Sequence, residues 1–117
     1  MEPGSTTAPL ADVDAAAKEH VIAALRRLHC SIVRCILDTN GRSPVEAWKV
    51  RHHLLLHVTS AVEPDDPPDL TQREKRAFRQ LAARANAEPW MAKVLLRPDL
   101  ELVRLDWWPL EALDPRE

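Results

Sequence analysis

The sequence predicts an all-α fold, a compact domain of four to five helices, on three observations. Apolar residues recur at three- and four-residue steps, two capping boxes open apolar runs, and the 117 residues include only two glycines, Gly4 and Gly41, to supply the turns of a sheet. A hydrophobic fraction of 45% with 29% charged residues excludes an intrinsically disordered chain, and the length suits one core. The start, MEPGSTTAPLADVD, lacks a secretory signal pattern, and no apolar run approaches the roughly 20 residues that span a bilayer. The expectation is a cytoplasmic protein without a membrane partner.

Residues 1–10, rich in Pro, Ser and Thr around Gly4, read as a disordered lead, and 11–117 as one helical domain. From 12 to 38, Val21, Leu25, Leu28, Ile32, Cys35 and Ile36 form an amphipathic stripe, which Asn40 and Gly41 stop. Cys30 and Cys35, about 140° apart on such a helix, cannot bridge and read as reduced thiols. His29 points toward the apolar side as a core-edge residue. Ser43, Pro44 and Glu46 open a second helix to Val62, burying Trp48, Leu54, Leu55 and Val58 against the first as an antiparallel hairpin.

The acidic, proline-punctuated linker 63–70 separates this hairpin from the rest. Thr71 and Glu74 form the second capping box, for a helix to Ala85 that buries Phe78, Leu81 and Ala82, with Asn86 as a left-handed stop. A short fourth helix starts near Pro89 and ends before Pro98. In the tail 99–117, Leu100, Val103 and Trp107 fit a helical stripe, whereas Val103, Leu105 and Trp107 fit one face of a strand. Helix to Trp108 is preferred, because a lone strand has no partner in an all-helical chain. The tail packs across the domain.

Charge is segregated. Residues 71–97 carry seven basic side chains against Glu74 and Glu88, a net of +5, while 1–70 carry −3 and 98–117 carry −4. A local positive field is what a phosphate backbone requires, so Arg73, Arg76, Arg79, Arg84, Lys93 and Arg97 are the candidate nucleic-acid contacts. Within that segment, Gln80 to Leu95 resembles a helix-turn-helix of the bacterial repressor type, over residues 78–97. Ala82 stands at the small position of the first helix, Asn86 at the turn, and Ala92 and Leu95 close the core. The resemblance implies a second helix in the major groove of DNA, with flanking cations on phosphates.

Glu46, His53 and His57, seven and four residues apart, would fall on one stripe of the second helix, a spacing that two metal-binding histidines can use. The stripe lies on the polar face without further ligands, so no metal and no cofactor is assigned. Catalytic residues are not assigned either: glycine-rich phosphate loop, nucleophile elbow and paired carboxylates are all missing from the pattern. The reading is therefore a small non-enzymatic binding or regulatory protein with DNA as partner. Its rival is a helical protein-interaction module that uses the tail residues Trp107, Trp108 and Leu110. The oligomeric state is left open, a homodimer included.

Overall fold

Val13, Ala17, Val21 and Leu25 stand four residues apart and form the buried stripe of helix α1 (Leu10–Arg27), so the first helix lies where periodicity places it. The computed structural model describes residues 10–35 and 44–110. Beyond α1 the chain departs from the all-α expectation. Strands β1 (Ser31–Cys35), β2 (Val45–Lys49) and β3 (His52–Val62) precede helix α2 (Gln72–Arg84), and strands β4 (Glu88–Leu96) and β5 (Leu102–Pro109) follow it. The fold is α/β.

The five strands form one mixed sheet in chain order, antiparallel except where β3 and β4 run parallel. Parallel neighbours need a crossover, and α2 supplies it. Alternation along the strands divides the core in two. On one face Val45, Ala47, Leu56, Val58, Ala92, Val94 and Leu96 pack against α1; on the other Leu55, Met91 and Leu110 pack against Phe78 and Ala82 of α2. Leu55, Leu56, Met91 and Leu96 are fully buried, each a burial of about 1.5–3 kcal/mol.

Four of the helical expectations are corrected. The first helix ends at Arg27, not at 38: Cys30 N–H returns to Leu25 O at 3.1 Å, His29 takes a left-handed φ of 65°, and β-branched Val33 lies in β1. The second helix is the β2–β3 hairpin, closed by Val50 and Arg51 between the paired Lys49 and His52. The fourth helix is β4, which removes the helix-turn-helix: after α2 and Asn86 the chain enters the sheet, and no recognition helix exists at 89–97. Within the tail, Leu102–Pro109 form β5, paired with β4, and residues 111–117 lie outside the described residues. The domain is thus neither a four- or five-helix bundle nor a helical hairpin with an added pair.

The reason is shared by β3 and β4. Both lie mid-sheet, with α1 over one face and α2 over the other, so they carry near-continuous apolar runs in place of strict alternation. Such runs do not distinguish strand from buried helix. The turns that glycine would supply are made by other residues: His29, Val50, Asn86 and Leu100 all adopt positive φ, from 54° to 69°. Asn86 is the left-handed stop expected of it, and the Thr71–Glu74 capping box is complete in both directions. Asn40, Gly41 and Ser43, and the residues of the N-terminal lead up to 9, lie outside the described residues. No helix among the described residues is long and apolar enough to cross a membrane.

Candidate partner-binding edge

Strand β5 is the last of the sheet, and the parity of its ladder decides which of its groups are used. Leu110 N–H donates to Pro89 O at 2.8 Å, and Trp108, Asp106 and Arg104 lie opposite Met91, Lys93 and Leu95 in the same register. In an antiparallel pair only alternate residues exchange hydrogen bonds, so these residues turn their backbone polar groups to β4. Leu105 and Trp107 turn theirs outward, where no described strand pairs with them. Pro109 falls at an outward position, where its missing N–H costs the ladder nothing. A register shift between Leu95 and Leu96 leaves Val103 as the extra residue of a bulge near the start of the strand.

Large apolar side chains accompany this open edge: Leu102, Val103 and Trp108 are 37%, 42% and 38% exposed. Arg104 Nε and Asp106 Oδ2, two residues apart on one face, pair at 2.9 Å with both side chains half exposed. Lys93 places its Nζ 5.9 Å from the centroid of the Trp108 ring, a cation–π contact, and also pairs with Asp69. The hydrogen bond and charge of Lys93 hold the Asp69 carboxyl below its usual range.

The opposite edge strand, β1, also pairs on one side only, and a charged cluster ties it to its neighbours across one face of the sheet. Arg34 Nε donates to Glu46 Oε1 at 2.8 Å, His53 Nε2 lies 2.6 Å from Glu46 Oε2, and the Trp48 and His53 rings stack at 4.2 Å. Glu46 is 8% exposed. Burial pushes its carboxyl up, but the hydrogen bonds and charges of Arg34 and His53 outweigh it and hold the group below the ordinary range. Glu46 and His53, expected on the exposed face of one helix, instead meet across two strands of a hairpin, and both side chains are largely buried. His57 instead meets the Phe78 ring edge-on at 5.3 Å. Among the described residues no three His, Cys, Asp or Glu side chains form a metal-holding group.

The tail residues separate. Trp107 is partly buried against the α1 core, Leu110 is buried under α2, and Trp108 alone of the three is exposed. Leu102 and Val103, which are not among the tail residues chosen as partner contacts, join Trp108 at the edge, and strand pairing of the tail is the signal that finds them. The six basic candidates also part company. Arg73, Arg76 and Arg84 are exposed along one side of α2, Arg97 is exposed after β4, Lys93 is engaged with Asp69 and Trp108, and Arg79 is buried at 9%. His29 lies exposed in the turn after α1 and not at the core edge. Cys30 and Cys35 are both free thiols, Cys30 partly buried and Cys35 exposed.

At the C-terminal end of α1 a cavity of about 300 Å³ opens between Leu25, Leu28, Leu54, Trp90 and Trp107, beside the His52–Glu88 pair at 2.9 Å. Cys30, Lys49, His52 and Glu88 join these apolar residues in its lining. No protein-family model matches this chain, and no curated protein matches it.

Proposed function

We propose that the chain is a non-enzymatic protein-interaction module that receives its partner as an added strand along β5. The observation that carries this reading is the outward-facing main chain of Leu105 and Trp107, flanked by exposed Leu102, Val103 and Trp108. An unpaired edge with apolar side chains is a template for strand addition, in which backbone hydrogen bonds give affinity and side-chain contacts give selectivity. The partner-binding role that the sequence suggests for the tail is kept, with Leu102 and Val103 in place of buried Leu110.

The experiment is a photo-crosslinkable residue placed at Val103, with one at Arg73 on α2 as the control position, each irradiated in cells. Adducts at Val103 that vanish when Trp108→Lys is added, with none at Arg73, are the expected result. Absence of any adduct from Val103 overturns the reading.

A second reading rests on the arginines of α2. Arg73, Arg76 and Arg84 share one exposed side of the helix and support contact with a phosphate backbone without base readout. Fluorescence anisotropy with random oligonucleotides at two salt concentrations decides it. Binding that falls steeply with salt and is lost in Arg76→Glu with Arg84→Glu supports the reading, and no binding at low salt removes it.

A further inference from the structure

We infer that the strand added to β5 is β5 of a second copy of this chain, running antiparallel about a two-fold axis at Leu105. The inference rests on the strand-addition reading and supplies its occupant. A self-paired antiparallel strand places each residue opposite its mirror position about the axis, so every register can be written down and judged by what it opposes.

With the axis at Leu105, Arg104 of each copy faces Asp106 of the other, and Trp107 comes level with the bulge at Val103. Leu105, whose backbone groups point outward, faces itself as a hydrogen-bonded pair. Shifting the axis to Arg104 brings the two arginines together, and shifting it to Asp106 brings the two aspartates together; like charges directly opposite are unfavourable. An axis at Trp107 sets Pro109, which has no N–H, against the outward N–H and C=O of Leu105. An axis at Val103 centres the pairing on the bulge and leaves Trp108 beyond the start of the other strand.

The central register alone pairs opposite charges while using the outward backbone groups of Leu105. Arg104 and Asp106 already share one face at 2.9 Å, so the two copies form a closed square of alternating charges. A net charge of only −2 leaves little long-range repulsion between copies. The product is a continuous ten-stranded sheet in which β5 is no longer an edge.

The test is sedimentation velocity of the full chain over a wide concentration range, for the natural sequence and three variants. The natural sequence is expected to dimerise. Arg104→Asp and Asp106→Arg each place like charges opposite one another and should weaken dimerisation on the order of 30-fold. The double variant Arg104→Asp with Asp106→Arg should restore it, and an equimolar mixture of the two single variants should form a mixed dimer. Circular dichroism checks that each variant keeps its fold. A dimer that neither single variant weakens, or a double variant that stays dissociated, overturns the register. A monomer at all concentrations overturns the second copy as occupant. In that case crosslinks from Val103 to a different protein leave the strand-addition reading standing, whereas no crosslink at all removes both.

Discussion

The sheet has two edge strands, and they differ in the side chains that accompany them. On β1, five residues long, Arg34 reaches across to a buried carboxylate that His53 also holds, so side chains tie the edge strand to its neighbours. On β5, eight residues long, the outward main chain has no described partner, and three large apolar side chains stand beside it. Stability is invested at the first edge and left exposed at the second. A charged pair beside an edge strand discourages strand addition, whereas exposed apolar side chains beside one invite it.

Removing Glu46 attacks the ion-paired side of the sheet. Glu46→Ala leaves the His53 side chain, 9% exposed, without its acceptor, and should cost about 2 kcal/mol by urea unfolding. Acid should do the same reversibly. The folded-state carboxyl of Glu46 is held below its unfolded value, so its contribution is fully present above the ordinary carboxylate range and is lost as pH falls through the lower, folded value. Stability measured from pH 7 to pH 3 should fall less steeply in Glu46→Gln than in the natural sequence.

The turn between β2 and β3 sharpens the comparison from the other side. Val50 is 86% exposed and has a φ of 57°, a conformation that a β-branched side chain disfavours. Val50→Gly should therefore raise stability by about 1 kcal/mol and the melting temperature by about 4 °C. Smallest in stability is the open edge itself. Val103→Lys should change unfolding free energy by no more than about 0.5 kcal/mol while abolishing association, because the side chain is exposed and a lysine blocks strand addition.

What the sequence made legible was what neighbouring residues decide. Thr71 and Glu74 begin α2 through bonds between themselves, and Asn86 ends it by its own tolerance of positive φ. The stripe of α1 faces one apolar layer and is periodic for that reason. What stayed hidden depended on distant partners. Leu54, Leu55 and Leu56 are apolar in succession because α1 and α2 cover opposite faces of β3, and that coverage is a property of the folded molecule. The two tail patterns depend on this coverage as well: the period-two alternation of Val103, Leu105 and Trp107 signals a strand only if β4 is a strand for it to pair with. Of the candidate edge, the sequence names Trp108 as a partner residue, but which apolar side chains of the tail stay exposed follows only from its pairing as a strand.

Backbone amide hydrogen exchange of the full chain, resolved residue by residue at high dilution and again at high concentration, bears most directly on the open edge. At dilution the amides of Asp106 and Trp108, bonded toward β4, should exchange slowly, while those of Leu105 and Trp107 exchange fast; at high concentration Leu105 and Trp107 should become protected too. Slow exchange of all four amides at dilution, or fast exchange of Leu105 and Trp107 at every concentration and in the presence of cell extract, would contradict the account.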